Sequence, residues 1–572
     1  MDLDLRQLPY SARGSFLAVS YLGGNWLGQG NEAGLYLRTL RGAAGRPLVA
    51  RIQPGRGSGA PMERGLLRGA VLEVGDENEQ LELCFADDRM LMIRGGVGTE
   101  LTLDFLTESS PFDYIYPLPS REGSLMVANC YKNASRYLLS AQKGNMLLEQ
   151  QWNGKSADFT VLRVSGADGF VLSITELQPD WDGQAQTFDF DAAKRRMDES
   201  LSAFQSALPD GPDAQRALAE KAGYLMWESI VCKGAGLPRE AMLMSKNWMK
   251  KVWSWDHCFN AIALSSKQSA LAWDQFMILF DCQAENGALP DAISDSCAEW
   301  NFCKPPIHGW ALCRMLKNMS LSREQTHEAY ERLSRWTNWW LSCRDCDGDG
   351  LCEYVHGNDS GWDNSTVFHV LPPIASPDLQ AFLILQMDAL SLLAKRLGNE
   401  SDAEAWRGRS ESLLQRTLER LFVNDLPVAR AADGSVIETC SLLPYISLIL
   451  GQRLPERVRS AMLQKLSGGE FQTGYGFATE SPLSPCYVPD GYWRGPIWAP
   501  STLLLVDGLS ACGEQALARK TALRFAAMCE KSGFAENFDA FTGAGLRDRA
   551  YSWTASVYLI LAHEYSNAEY GN

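Results

Sequence analysis

The chain has 572 residues, 46% of them hydrophobic and 21% charged, which excludes wholesale disorder and leaves room for about two to four packed domains or one large barrel with an appendage. Its 53 basic and 69 acidic residues give a net charge of −16, a poor match for a phosphate backbone, so no nucleic-acid partner is expected. No apolar run reaches the ~18 residues that span a bilayer, and Met1-Asp2-Leu3-Asp4-Leu5-Arg6 lacks a basic region leading into an apolar stretch, so neither a membrane partner nor a secretory signal is expected.

Residues 1–190 read as an all-β domain, a sandwich. Phe170, Leu172 and Ile174 alternate with Val171, Ser173 and Thr175, a period of two. Gly166-Ala167-Asp168-Gly169 separates this run from a strand-like 159–164, and the runs 81–85 and 90–94 flank Asp87-Asp88 like a hairpin. Many short strands with Gly and polar turns between them fit two packed sheets. Residues 191–212 read as a helical linker: 192–208 is charged and helical in composition, and Pro209-Asp210-Gly211-Pro212 ends it.

Residues 213–572 read as the catalytic domain, with twelve helical stretches: 213–233, 256–268, 270–283, 306–319, 323–343, 377–397, 402–424, 438–450, 454–467, 497–511, 514–531 and 550–568. Ser322-Arg323-Glu324-Gln325 and Ser401-Asp402-Ala403-Glu404 have the form of capping boxes, and Ser376-Pro377 that of an N-cap followed by proline. Gly398, Gly451 and Gly513 stand where a left-handed terminator is wanted. Odd-numbered stretches are amphipathic: 402–424 sets Trp406, Leu413, Leu414, Leu418 and Leu421 against Arg407, Glu411, Arg416 and Arg420. Even-numbered stretches are apolar nearly all round, so they are expected to be buried on every face. Connections also alternate, with long loops at 234–255, 284–305, 344–376, 425–437, 468–496 and 532–549. Two concentric layers of six helices, with every long loop at one end, make an (α/α)6 barrel whose functional residues belong on those loops.

The 15 cysteines, odd in number and scattered, point to reduced thiols and a cytoplasmic location. Cys343, Cys346, Cys352 and His356 could bind zinc by residue type, but their spacing is irregular and isolated thiols are the better reading. Asp345-Cys346-Asp347-Gly348-Asp349-Gly350 has the look of a calcium loop, yet His356 stands where an EF-hand has its twelfth-position Glu, so a polar loop is expected. Gly154-Lys155-Ser156 lacks the upstream Gly of a phosphate loop, and no Gly-x-Ser-x-Gly elbow occurs.

The long loops hold the chemistry-bearing motifs. They are Trp253-Ser254-Trp255-Asp256-His257-Cys258-Phe259, Lys304-Pro305-Pro306-Ile307-His308-Gly309-Trp310, Ser360-Gly361-Trp362-Asp363-Asn364-Ser365, Tyr492-Trp493-Arg494-Gly495-Pro496-Ile497-Trp498, and Glu536-Asn537-Phe538-Asp539. Carboxylates among Trp and Gly point to acid–base work on a sugar. Glycoside hydrolysis needs one protonated carboxyl for the leaving oxygen and one carboxylate to activate water, and indole walls supply stacking surface and desolvation.

In order and content these motifs resemble glycoside hydrolase family 63, whose clan relatives are the trehalases; the resemblance runs from about residue 240 to 565. It implies an inverting exo-acting α-glycosidase, an α-glucosidase first of all, with Asp363 as general acid and Glu536 as general base. It also implies that Trp255, Asp256, Trp493, Arg494 and Trp498 line the sugar site, with Trp310 and Trp362 nearby. Trp253, Phe259, Lys304, His308 and Asn364, from the same motifs, complete the candidate substrate-binding set. His257, His308 and His356 are expected to be structural or hydrogen-bonding residues rather than catalytic ones. No metal or cofactor is required.

Relatives often carry Gln before the Pro-Pro pair where this chain has Lys304. An ammonium donates, cannot accept, and favours anions, so a glucosyl- or mannosyl-glycerate is the alternative substrate. An inverting phosphorylase on the same barrel would have no use for Glu536, and a non-catalytic sugar-binding protein would have no use for Asp363 either; the presence of both residues weighs against these two rival readings.

Overall fold

A computed structural model describes residues 1–565 except 24–31, 43–47, 56–61, 77–78, 106–111, 119–124 and 235, so residues 566–568 of the last expected helix lie outside the described residues. Chain contacts gather into two units. One comprises Met1–Ser206, Gly223–Lys250 and Asp295–Cys297; the other comprises Ala207–Ala222, Lys251–Ser294 and the chain from Ala298 on.

The first unit is built on two antiparallel sheets, of nine and six strands. The larger runs in the order Asp2–Asp4, Arg64–Arg68, Val71–Val74, Leu81–Phe85, Met90–Gly95, Phe170–Glu176, Ser135–Lys143, Leu125–Cys130 and Tyr114–Leu118. The smaller runs Asn145–Trp152, Ala157–Ser165, Glu100–Phe105, Leu48–Pro54, Gly34–Thr39 and Leu17–Leu22. The expected hairpin forms with Leu81 opposite Gly95 and Phe85 opposite Leu91. The turn at Gly166–Gly169 does more than separate two strands, because it carries the chain from the smaller sheet to the larger. Gly169 takes a φ of +88°, and a Cβ there would lie 2.6 Å from the Gly95 carbonyl oxygen, so only glycine fits. Helix α1 (Phe190–Ser206) packs on the larger sheet, where Phe190 and Ala193 join Val71, Cys84, Met90 and Met92 in one apolar cluster.

The second unit is helical. Its helices are α2 (Arg216–Ser229, whose residues from Gly223 on pack in the first unit), α3 (Asp256–Leu264), α4 (Ser269–Met277), α5 (His308–Met315), α6 (Arg323–Cys343), the one-turn α7 (Gly357–Ser360), α8 (Pro377–Leu397) and α9 (Glu400–Arg420). A 3-10 helix (Leu443–Arg453) follows, then α10 (Glu456–Ser467), α11 (Ala499–Ala511), α12 (Gln515–Ser532) and α13 (Ser552–Tyr565). Six of these close a ring: α3 packs on α5, α5 on α8, α8 on the 3-10 helix, that helix on α11, α11 on α13, and α13 back on α3. They are the even-numbered stretches of the sequence, and α3 is buried along its whole length. Outside the ring lie α4 on α3, α6 and α9 on α8, α10 on the 3-10 helix, and α12 on α11 and α13. Outer helix α6 buries only the stripe Thr326, Ala329, Leu333, Trp336, Thr337 and Trp340, and each large apolar side chain so buried contributes about 1.5–3 kcal/mol. The chain thus folds as a β-sandwich and an (α/α)6 barrel.

Two local expectations are corrected. The stretch at 438–450 is a 3-10 helix beginning at Leu443, opened by Pro444 and broken where Gly451 takes φ +54° and ψ −125°. Helix α9 is capped two residues earlier than expected, by the Asn399 side chain accepting from the Asp402 amide, rather than by Ser401. The Ser322 capping box forms as expected, and Gly398 and Gly513 take φ of +82° and +91° at their helix ends. No described helix is long and apolar enough to cross a membrane.

Candidate active site

Three small sheets tie the long loops of the barrel together: Val252–Trp253 with Ala292–Ile293 and Ala298–Glu299, Glu353–Tyr354 with Ile374–Ala375 and Arg430–Ala431, and Ile497–Trp498 with Asn537–Phe538 and Gly545–Leu546. Each brings residues distant in sequence into register and fixes the loop segments that carry polar side chains.

Asp363 stands among charges. The chain leaves α7 through Gly361, at φ +74°, where a Cβ would come within 2.5 Å of the Trp255 ring. This tight exit delivers Trp362 to the interior and Asp363 to a position where a third of its side chain is exposed. Lys304 sends its Nζ to Asn358 O at 2.7 Å, Asp291 Oδ1 at 3.1 Å and Asp363 Oδ1 at 4.0 Å. Asp256, the first residue of α3, is nearly buried and interacts electrostatically with Lys304, Asp291 and Asp363. Burial raises the pKa of Asp363, Asp291 and Asp256, with Lys304 opposing it in each case. Burial alone would lower the pKa of Lys304, but the three carboxylates hold it above the ordinary lysine value.

Glu536 stands between two opposite charges, Asp548 and Arg547, and the Tyr492 hydroxyl. It precedes the strand Asn537–Phe538, whose Asn537 pairs with Trp498. Burial raises its pKa to about 7 with help from Asp548, opposed by the nearby Tyr492 hydroxyl and by Arg547. Tyr492 takes the left-handed φ of +65°, a strained conformation for a bulky residue. Its own pKa is raised by burial first and then by Glu536, Asp363 and Asp256, so this hydroxyl lies within electrostatic reach of all three carboxyls. Tyr551 likewise feels Glu536 and Asp256.

Between the two runs a continuous aromatic body. Trp362, Trp493 and Trp498 form a column, with centroids 4.8 Å and 3.9 Å apart and planes 26° and 6° from parallel. Trp553 meets Trp255 and Trp498 edge-on at 5.8 and 5.7 Å, and Phe259 meets Trp255 at 5.9 Å. These rings are almost fully buried, so most of the indole surface is spent on other indoles.

The structure therefore gathers Trp255, Asp256, Phe259, Lys304, Trp362, Asp363, Trp493, Trp498 and Glu536. Asn364 is a bridge between loops: its amide nitrogen donates to Gly491 O at 3.0 Å, and its oxygen accepts from the Trp493 amide at 2.9 Å. The Trp253 carbonyl accepts from His257 Nδ1 at 2.9 Å. Arg494 has a buried Nε without a hydrogen-bond partner, and among the described residues no carboxylate pairs with it. His308 and Trp310 are turned elsewhere. The His308 ring is fully buried against His257, Phe276, Phe280 and Trp336, and the Trp310 indole N–H donates to Asp507 at 2.9 Å. Asp291, Tyr492, Tyr551 and Trp553 were not singled out from sequence, although Tyr492 lies inside a motif and Tyr551-Ser552-Trp553 is an aromatic pair at a helix start.

Among the described residues, two groups could converge on a cation: His257 with Cys258 and His308, and Asp345 with Asp347, Asp349 and Glu353. In the second group the carboxylates accept from the amides of Cys346, Asp349, Gly350 and Leu351 within the loop. The Cys343, Cys346, Cys352 and His356 set does not converge in this way, and all 15 cysteines are free.

Carboxyls and a wall of indoles on the loops of an (α/α)6 scaffold fit the class the family match shows, a glycoside hydrolase. The chain belongs to the family of the mannosylglycerate hydrolase MGH1-like glycoside hydrolase domain, which it matches over residues 249–554. A mannosylglycerate hydrolase of Rubrobacter radiotolerans is 23% identical over 399 residues, spanning 54% of this chain and 89% of the relative. A glucosylglycerate hydrolase of Mycolicibacterium hassiacum is 24% identical over 408 residues, spanning 54% of this chain and 91% of the relative. A crystal structure of the family 63 mannosylglycerate hydrolase of Thermus thermophilus in complex with glucose superposes with a TM-score of 0.53 at 22% identity, covering 60% of this chain and 99% of that one.

Proposed function

We propose that the enzyme hydrolyses an α-linked hexosyl-glycerate with inversion at the anomeric carbon, Asp363 acting as general acid and Glu536 as general base. The observation that supports this reading is that burial raises the pKa of both Asp363 and Glu536, and that both carboxyls act electrostatically on the Tyr492 hydroxyl. In this mechanism Asp363 gives its proton to the glycosidic oxygen as the bond from that oxygen to the anomeric carbon breaks. Glu536 takes a proton from a water whose oxygen bonds to the anomeric carbon on the opposite face. Inversion requires the two carboxyls to be ~6.5–9.5 Å apart, with the water between them. The sugar sits against the indole wall, with Asp256 accepting from its hydroxyls.

The glycerate reading is supported by the names of the relatives and by Arg494. Its guanidinium has no carboxylate partner among the described residues, which leaves it free for an anionic aglycone. The relatives divide between mannosyl and glucosyl substrates, so the class is set wider than an α-glucosidase. The burial of Glu536, which raises its pKa to about 7 and suits it to act as a base, favours hydrolysis over phosphorolysis, which uses no base. The test is a panel of α-mannosyl- and α-glucosyl-glycerates and neutral disaccharides, with the anomer of the released sugar followed by NMR. The expected result is hydrolysis of a glycerate conjugate without phosphate, the first-formed sugar being β. Release of the α anomer, or turnover only with phosphate, sinks the mechanism.

A further inference from the structure

Lys304 stands directly before the Pro305-Pro306 pair, and its surroundings say what it is for. Its ammonium is engaged within the protein: it donates to Asn358 O at 2.7 Å and pairs with Asp291 Oδ1 at 3.1 Å, and only 7% of its side chain is exposed. Asn358 belongs to α7, the single turn whose exit through Gly361 sets Asp363. The residue before Lys304 makes a second strap to the same turn, with Cys303 N donating to Asp359 Oδ1 at 3.1 Å, and Phe302 makes a third by stacking on His356 at 4.7 Å. Asp359 is itself buried and held by Arg344 Nη1 at 2.9 Å. Residues 302–304 thus fasten the second long loop onto the turn that carries Asp363, and Lys304 is the only strap that bears charge.

We propose that Lys304 is a positioning residue for Asp363, strapping the turn that carries the acid and supplying the positive counter-charge beside its carboxyl, and that it does not receive the anionic group of the substrate. The inference rests on Asp363 being the general acid. The charged and titratable groups around Asp363 are Lys304 and Asp291 from the second long loop, Asp256 from α3, His356 from the third loop and Tyr492 from the fifth. Asp256, Asp291 and Asp363 are three acidic groups around one ammonium, so no positive charge is left over for a fourth anion. Gln, a neutral donor, would keep the strap to Asn358 and lose the counter-charge.

The sign of the effect follows. The acid has to be protonated to work, and activity disappears as pH rises through its pKa. An ammonium 4.0 Å away favours the ionised form and places that alkaline limb lower than burial alone would. In Lys304→Gln the alkaline limb of kcat/KM is expected to move up by about one pH unit. In Lys304→Arg, which keeps the charge, it stays near its wild-type position while kcat falls through altered placement. The loss of kcat/KM at the pH optimum should be the same, within about twofold, for a glycosyl-glycerate and a neutral glycoside. Because the single change leaves Asp291 without its ion pair, the double variant Lys304→Gln, Asp291→Asn is measured alongside; removing one charge of each sign, it should show a smaller upward shift. An alkaline limb that does not move in either variant overturns the proposal, and so does a loss confined to the acidic substrate, which would make Lys304 the aglycone receptor. Wild-type turnover and its abolition in Asp363→Asn test the underlying reading separately.

Discussion

Asp363 and Glu536 have carboxyls of one chemical kind in opposite company. Around Asp363 the neighbours are charged, with one ammonium against Asp256 and Asp291, and a third of its side chain stays open to solvent. Around Glu536 the charges are one of each sign, Asp548 and Arg547, with the hydroxyls of Tyr492 and Tyr551 close by, and its side chain is almost entirely buried. One site is tuned by an ammonium set among three acidic groups, the other chiefly by desolvation, with Asp548 and Arg547 opposing one another and the Tyr492 hydroxyl nearby. The difference teaches that two groups can be pushed in the same direction by burial and still answer to different mutations. A charge change at Lys304 should speak to Asp363, and loss of the Tyr492 hydroxyl to Glu536.

The largest effect breaks the comparison outright. Asp363→Asn and Glu536→Gln should each lower kcat/KM by about 10²–10⁴-fold. The two are separable by leaving group. A glycoside whose aglycone leaves without protonation, such as a fluoride, should rescue Asp363→Asn and leave Glu536→Gln inactive. Rescue of Glu536→Gln instead would reverse the two roles.

The cations sharpen the comparison next. Lys304 is neutralised by Asp291, whereas Arg494 has no such partner among the described residues. Arg494→Gln should therefore lower kcat/KM about tenfold or more on a glycosyl-glycerate, mainly through KM, and leave a neutral glycoside within about threefold. Equal losses on both substrates would make Arg494 a scaffold residue and remove the support it lends to an acidic aglycone.

Much of the scaffold was legible because it repeats. Helices apolar on every face, as in α8, α11 and α13, could only be an inner layer, and the stripe of α6 could only be an outer one. Asp363 and Glu536 were legible because their motifs are dense in Trp, Gly and Asn. What stayed hidden is proximity between loops. Asp291 lies thirteen residues before Lys304, outside any motif, and nothing in its local sequence announces an ion pair. Tyr492 was visible as a motif letter, but its approach to Glu536 goes with a left-handed backbone that a bulky residue seldom adopts. Motif membership also overreached. His308 and Trp310 stand two residues apart on one helix, about 200° around its axis, and cannot both face one site. The 3-10 helix was missed because Pro444 and Gly451 alter the geometry without altering the hydrophobic pattern.

Deleting the Tyr492 hydroxyl tests the Glu536 side with a moderate effect. Glu536 has to be ionised to draw a proton from water, so activity is present above its pKa and is lost as pH falls through about 7. The Tyr492 donor favours the ionised form. Tyr492→Phe removes it, which should move the acid limb of kcat/KM up by about one pH unit and leave the alkaline limb nearly in place. A shift of the alkaline limb would mean that Tyr492 serves Asp363 instead.

The smallest effect concerns Trp310, whose place in the motif puts it with the sugar wall while its hydrogen bond puts it with the scaffold. Its indole N–H donates to Asp507, which also pairs with Arg314 at 3.2 Å, and Arg314 pairs in turn with Glu564, so the indole belongs to a chain of partly buried charges between α5, α11 and α13. Trp310→Phe keeps a ring against Phe259 and deletes only the donor. Losing a hydrogen bond to a carboxylate that keeps its Arg314 partner should lower stability by about 1.5–3 kcal/mol, read by chemical denaturation, while kcat/KM stays within about threefold. A large fall in kcat/KM with unchanged stability would return Trp310 to the substrate. It would also mean that the charged chain behind it needs no indole to hold the three helices in register.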